Sequence, residues 1–235
     1  MHIKLLLVLP LMLASTQCTT LQQVTNNSSA SANNSSQDKI VAGLKQALTI
    51  GTQNSTNKLS AVDGFFADAA VKILMPPEAS DVEKTLRRFG LGSLVDKTVL
   101  SLNRAAEDAA KSATPIFVDA IKHMTITDAL GILRGGDFAA TNYFKQKTTG
   151  ALTDAFKPVI SASLNKVDAT KYWSDVFTAY NRFSSKKVET DLTAYVTQKA
   201  IDGIFYEVGL EEQKIRKDPA ARVTDLLKQV FGGNQ

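Results

Sequence analysis

The sequence has few of the residues that carry nucleophilic and metal chemistry. Its 235 residues include one cysteine, Cys18, and two histidines, His2 and His123. A single cysteine cannot close an internal disulfide or build a zinc site from several thiolates. If the chain is cleaved before Cys18, His123 is the only imidazole that remains, which excludes sites with two histidine ligands. We therefore expect no cofactor, and no metal that depends on thiolates or paired imidazoles.

The apolar run at the start of the chain is too short to cross a membrane. It extends for nine residues from Leu5 to Leu13, follows Lys4 and is interrupted by Pro10. A membrane-spanning helix needs about 20 apolar residues. A basic start, a short apolar run and then small, polar residues are typical of a cleaved export signal, which we place at residues 1–17.

The sequence LASTQC at residues 13–18 resembles the processing site of bacterial lipoproteins, in which the cysteine becomes the acylated first residue. Ser15 and Gln17 depart from the usual residues of that site, so ordinary cleavage near Thr16 stays open. Thr19, in place of Asp, fits the outer-membrane sorting pattern. The resemblance implies lipidation at Cys18 and an outer membrane lipoprotein that faces the periplasm, with a soluble periplasmic protein as the alternative.

The segment that follows Cys18 has almost nothing to bury. Residues 19–37 contain 15 Asn, Gln, Ser or Thr and no charged residue. Such a composition cannot form a core and predicts a flexible tether. We therefore divide the chain into the signal, a lipidated cysteine with a disordered polar linker at 18–37, and a folded domain at 38–235.

Charge of one sign is not concentrated in this chain. Lys and Arg number 27 and Asp and Glu number 23, so the net charge is +4. The two populations are interspersed, whereas a nucleic-acid-binding domain concentrates basic residues on one face. We expect no nucleic-acid partner. The expected partners are the membrane, through the lipid anchor, and another envelope protein or lipid.

The folded part is predicted to be all-α. From Asp38 onward the apolar residues recur at helical spacing, and no segment alternates apolar and polar residues for long. We expect a single multi-helix bundle of about eight to ten helices.

Caps, glycines and prolines predict the local boundaries. In the first half we expect a helix from Lys39 to about Leu59, a short helix carrying residues 65–74, and a helix from Gly92 to Ala113. Thr127 is expected to cap a helix to Leu133, and Asp137 the next helix. Further on we expect a split or kink at Gly150 and Pro158, and a helix from Asp191 to about Arg216.

Three stretches together resemble a known family. They are SLNRAAEDAAKSATPIFVDAIKHMTITDA at 101–129, ILRGGDFAATNYFKQKT at 132–148 and KIRKDPAARVTDLLKQVFG at 214–232. In combination they are similar to the bacterial family catalogued as domain of unknown function 4197, over about Ile40 to Gly232. The resemblance implies an all-helical, envelope-associated protein, and it brings no established activity and no catalytic residues.

The densest polar group lies on the helix that follows Gly92. Asn103, Arg104 and Glu107 stand among alanines, and the spacing predicts ion pairs of Arg104 with Asp108 and of Glu107 with Lys111. One interpretation is a solvated face. The other is that neighbouring helices cover Arg104 and Glu107, so that the pair orients packing or lines a ligand cleft.

Asp119 and His123 are four residues apart. With Glu107 or Asp128 they could form a carboxylate-rich site for a hard divalent ion. The alternative interpretation is a plain surface contact between Asp119 and His123.

Aromatic residues are concentrated in the last third of the chain. Trp173, Phe177, Tyr180 and Tyr195 belong to this group, and their helical spacing indicates core. The alternative is an apolar pocket for a lipid, an acyl chain or a partner helix. Basic groups, such as Lys84 with Arg87 and Arg88, would favour an anionic membrane if they shared a face.

The sequence therefore favours an exported, membrane-anchored binding or scaffold module of the bacterial cell envelope. Two alternatives are kept: a carrier of an apolar ligand in a helical pocket, and a carboxylate-based metal-dependent enzyme. Whether the protein is an enzyme stays uncertain at this point, and the non-enzymatic hypothesis is preferred.

Overall fold

The computed structural model describes the backbone of residues 20–166 and 191–218 and a few positions between and after them, with side-chain burial from Gln37 onward. The described helices are α1 (Thr20–Ser60), a 3-10 turn (Pro77–Ala79), α2 (Ser80–Arg88), α3 (Gly92–Ala110), α4 (Ala113–Lys122), α5 (Ile126–Arg134), α6 (Ala139–Asn165) and α7 (Leu192–Lys217). Within these ranges there is no strand, so the all-α class is confirmed. The predicted number of eight to ten helices is not confirmed.

Contacts divide the chain into two units, with the boundary between Lys39 and Ile40. α1 begins at Thr20, so residues 20–37 are helical where their composition predicts a flexible linker. Helical hydrogen bonds are local, and a polar segment can therefore continue a helix that is nucleated elsewhere. In the part of the chain that the structure describes, no helix is long and apolar enough to cross a membrane.

The core of the second unit is organised around α6. This helix packs against α3, α4 and α7. Phe117 of α4 lies edge-to-face with Phe144 of α6 at 5.2 Å and with Phe205 of α7 at 6.2 Å between ring centroids. The apolar seam of α3 is buried throughout, at Val95, Val99, Leu102, Ala106 and Ala109.

The predicted split of the helix at Gly150 and Pro158 is wrong, because α6 is continuous from Ala139 to Asn165. Both residues lie on the exposed side of the helix. Its opposite side is buried at four-residue intervals, at Thr148, Leu152, Phe156, Ile160 and Leu164. Burial of this stripe outweighs the propensity cost of one glycine and one proline.

Two predicted caps are also wrong. Thr125, and not Thr127, caps α5: its hydroxyl accepts from the N–H of Asp128 at 3.1 Å, and the Asp128 carboxylate accepts from the N–H of Thr125 at 3.0 Å. Asp137 does not cap α6 and pairs with Lys217 at 2.8 Å. Both helices thus begin where a favourable partner is available in space.

The start of α6 is capped from another helix. The buried carboxylate of Glu212 on α7 accepts from the N–H groups of Ala140 and Thr141, each at 2.9 Å. Arg216 donates to the same carboxylate at 2.8 Å and to the carbonyl of Ile132, at the end of α5, at 2.8 Å. This network fixes the ends of α5 and α6 against α7.

The short helix predicted for residues 65–74 is wrong. Residues 61–76, called the 61–76 segment below, form a series of turns between α1 and the 3-10 turn. The predicted helix from Gly92 to Ala113 ends at Ala110, and Ala113 already begins α4. The 61–76 segment stays non-helical because side chains of α3 satisfy its backbone groups.

We predict opposite effects for the same substitution at two helical glycines. A Cβ on Gly203 of α7 would lie 2.6 Å from Cε1 of Phe65, whereas a Cβ on Gly150 of α6 would meet nothing within 4 Å. Gly203→Ala should lower the free energy of unfolding by about 1–3 kcal/mol through overpacking. Gly150→Ala should raise it by up to about 1 kcal/mol through helix propensity. Denaturant unfolding measures both, and equal effects would contradict the close approach at Gly203.

Candidate functional site

The polar group on α3 is directed at the 61–76 segment. The amide of Asn103 is fully buried, donates to the carbonyl of Ile73 at 2.8 Å and accepts from the N–H of Ile73 at 2.9 Å. It also donates to the carbonyl of Val99 at 2.7 Å. One side chain therefore satisfies both backbone groups of a buried residue, as a paired strand would.

Glu107 performs the same role one turn further along α3. Its buried carboxylate accepts from the N–H groups of Phe65 at 3.2 Å and Phe66 at 3.3 Å. Arg104 donates to the same carboxylate at 2.5 Å and to Asp63 at 2.6 Å. These two partners raise the pKa of Arg104 above its ordinary value, Glu107 contributing more. A buried carboxylate is tolerated here because its oxygens have three donors.

The ion pairs on α3 have a different spacing from the predicted one. Arg104 pairs with Glu107 and Lys111 pairs with Asp108, in both cases three residues apart. The predicted pairs four residues apart are therefore wrong. The solvated-face interpretation is also wrong for Asn103 and Glu107, which are buried, whereas Arg104 is partly exposed.

A third buried glutamate connects the 61–76 segment to α1 and α7. Glu207 of α7 accepts from the Lys58 ammonium at 2.7 Å, and Lys58 also pairs with Asp68 at 2.9 Å. The hydrogen bond to Glu207 is the main reason that the pKa of Lys58 is raised. The hydrogen bond from Lys58 is the main reason that the pKa of Asp68 is lowered. Among the described residues, no buried side-chain nitrogen or oxygen lacks a hydrogen-bond partner.

Three of the predicted polar-site residues line one open cavity of about 520 Å³, called the α4–α6 cleft. Asp119 and His123 come from α4 and Asp128 comes from α5, with Tyr143 and Lys147 of α6 opposite. His123 Nδ1 lies 3.4 Å from Asp119 Oδ1, and both side chains are exposed, so the predicted surface contact is confirmed. Hydrogen bonds from Thr125 hold the pKa of Asp128 below its ordinary value.

The predicted metal site of Asp119 and His123 with Glu107 or Asp128 does not form. Glu107 binds the 61–76 segment, while the other three residues line the α4–α6 cleft. Within the described ranges, no three His, Cys, Asp or Glu side chains are placed to hold a metal ion. Asp128 is engaged in the cap of α5, which accounts for its orientation.

The predicted aromatic pocket is only partly described. Trp173 is buried in the core, and Tyr195 donates from its hydroxyl to the carbonyl of Leu74 at 3.1 Å. Burial is the main cause of the raised pKa of Tyr195. Phe177 and Tyr180 lie outside the described residues. Neither Trp173 nor Tyr195 lines the α4–α6 cleft or the groove described next.

Sequence reasoning missed an open groove of about 660 Å³ between α6 and α7, called the α6–α7 groove. Its exposed apolar side chains are Phe138 at the start of α6 and Tyr206 and Leu210 on α7. Lys145 and Asp202 also line it. The ring of Phe138 lies against α7 at Gly209, where a Cβ would be 3.2 Å from Cε1. No local signal in the sequence joins Phe138 to Gly209.

We predict that the Asn103 contacts stabilise the whole domain. Asn103→Ala leaves the buried N–H and carbonyl of Ile73 unpaired and should lower the free energy of unfolding by about 2–4 kcal/mol. The matched control is Asn142→Ala on the exposed side of α6, which should change it by less than about 0.5 kcal/mol.

A second variant separates hydrogen bonding from packing. Asn103→Asp keeps the size of the side chain and removes both donated hydrogen bonds, so it should be at least as destabilising as Asn103→Ala at pH 7. Wild-type stability in the Asp variant would contradict this role for Asn103.

The comparisons with known proteins agree with the resemblance noted from the sequence. Residues 34–232 match the model of the family described as "Protein of unknown function (DUF4197)". Neither the curated proteins nor the solved structures give a match. The chain belongs to the DUF4197 family.

Proposed function

We propose that this protein is a membrane-anchored binding module of the bacterial cell envelope, and that it holds an amphipathic helix of a partner protein in the α6–α7 groove. The observation that carries this proposal is the exposure of Phe138, Tyr206 and Leu210 along one groove between two packed helices. Exposed aromatic and aliphatic side chains in such a groove are typical of helix-in-groove recognition.

The dimensions of the groove suit a short helix. α6 and α7 are antiparallel here, because Phe138 lies at Gly209 while the Lys145 ammonium is 5.9 Å from the Phe205 ring centroid. Groove residues extend over 138–145 of α6 and 202–213 of α7. At 1.5 Å per residue these stretches are about 10–17 Å long, which is two to three turns of a bound helix.

The charges of the groove favour an amphipathic occupant over a purely apolar one. Lys145 and Asp202 lie beside the apolar side chains, so a partner needs polar groups of both signs along its edges. A partner helix supplies apolar residues at three- and four-residue spacing with polar residues beside them. A free acyl chain would leave Lys145 and Asp202 without complementary groups.

The envelope location is supported by the sequence of the first 18 residues. The basic start, the nine-residue apolar run and the LASTQC sequence support export and acylation of Cys18. Residues 1–19 lie outside the described residues, so this support comes from the sequence alone.

The anchor is tested by metabolic labelling. We predict that the full chain, expressed in a bacterial host with radioactive palmitate, carries label that Cys18→Ala removes, because Cys18 is the only thiol available for acylation. Labelled protein should sediment with membranes. An unlabelled wild-type chain would contradict the anchor and leave the groove to be tested by itself.

The groove is tested by site-specific photo-crosslinking in intact envelopes. A photo-reactive residue in place of Tyr206 should give one discrete adduct, and the crosslinked segment, mapped by mass spectrometry, should be an amphipathic helix. Leu210→Glu should reduce the adduct at least tenfold, because it places a charge on the apolar surface of the groove.

The matched control is the same photo-reactive residue in place of Ile126, which is half exposed on α5 and outside the groove. Equal adducts from the two positions would contradict the proposal. Adducts only to lipid, or only to a second copy of this chain, would also contradict it.

A further inference from the structure

The turn between α2 and α3 is held rigidly by the end of α2. Gly90 has a φ of 78°, a conformation that favours glycine. The N–H of Leu91 donates to the carbonyl of Leu86 at 2.9 Å, and the N–H of Gly90 donates to the carbonyl of Arg87 at 3.1 Å. These two bonds form a Schellman motif, so the residues on both sides of Gly90 have a defined direction.

This turn exposes large apolar side chains. Phe89 is 75% exposed, Leu91 44% and Leu94 52%, and these three residues are called the α2–α3 tip. α2 itself has no buried residue. The tip therefore lies at the surface and does not contribute to the core.

The ion pairs around the tip leave two cations unpaired. Glu83 and Asp96 both pair with Arg87, at 3.0 and 2.8 Å. Among the described residues, Arg88 and Lys97 have no ion-pair partner, and each lies within three residues of an apolar residue of the tip. Glu83 and Asp96 share the single positive charge of Arg87, whereas Arg88 and Lys97 are available to pair with an external anion.

We propose that the α2–α3 tip is a membrane-contact site that inserts Phe89, Leu91 and Leu94 into an anionic phospholipid surface. Arg88 and Lys97 then pair with headgroup phosphates. Apolar side chains with adjacent cations are the combination by which peripheral proteins bind the interface of a bilayer. This contact does not require acylation of Cys18 or occupation of the α6–α7 groove.

The size of the tip favours a lipid surface over a protein. A stable protein interface covers about 800 Å² on each partner. Three side chains on a surface turn provide much less than that area. A bilayer surface can deform around the turn, and burial of a few apolar side chains there contributes to binding with or without a lipid anchor.

The test depends on the chain having a single native cysteine, which Cys18→Ala removes. In the full chain with Cys18→Ala, Leu91→Cys provides one thiol for a polarity-sensitive nitrobenzoxadiazole dye. On vesicles of phosphatidylcholine with 30% phosphatidylglycerol, the dye emission should increase about twofold or more and shift to the blue. The double variant Arg88→Gln with Lys97→Gln should weaken the apparent affinity for these vesicles about 25-fold, because each cation contributes about fivefold.

The matched control carries the dye at Val62→Cys. Val62 is 78% exposed, and its neighbour Asp63 pairs with Arg104 of α3. Arg104 is ten residues beyond Leu94 on the same helix, which is about 15 Å, so position 62 lies away from the tip. The dye at position 62 should not respond. Equal responses at the two positions, or an equal response on vesicles of phosphatidylcholine alone, would overturn the proposal. So would a dye at position 91 that responds only to membrane extracts containing protein, because it would identify a protein partner.

Discussion

The fold depends on backbone groups that have no partner within their own segment. Ile73 and Phe65 are buried, yet the 61–76 segment is not helical and belongs to no sheet. A buried N–H or carbonyl without a partner costs roughly as much as a lost hydrogen bond. Asn103 and Glu107, which lie on α3, supply the missing partners and so remove this cost for the 61–76 segment. The polar group that interrupts the apolar surface of α3 is therefore what allows the apolar residues of the segment to enter the core.

This requirement also explains which parts of the structure the sequence could predict. The α3 seam and the extent of α7 follow from the 3.6-residue period and from the Asp191 cap, which are local properties. The supposed helix at 65–74 has suitable apolar spacing, but its partners are residues about 30 to 40 positions away. Such pairs leave no local signal. The continuity of α6 through Pro158 has the same origin, because the buried stripe that outweighs the proline is a property of the assembled core.

The candidate site divides in the same way. Asp119 and His123 meet as predicted because four residues along one helix bring side chains together. Glu107 could not join them, since one of its oxygens accepts from the backbone of the 61–76 segment and the other from Arg104. The α6–α7 groove depends on contacts between residues about 70 positions apart. Neither Phe138 nor Tyr206, considered by itself in the sequence, indicates that such a groove exists. Surface sites made by two helices become visible only after the helices are docked.

The groove and the buried glutamates are physically connected. Glu212 binds the first N–H groups of α6 and is itself held by Arg216, which also binds the last turn of α5. Phe138 directly precedes α6, so the same contacts that cap the helix set the ring of Phe138 against Gly209. The groove is therefore preformed in the fold, and a preformed surface lowers the conformational entropy cost of binding. The buried carboxylate of Glu212, which caps α6, thus positions exposed apolar surface as well as stabilises the core.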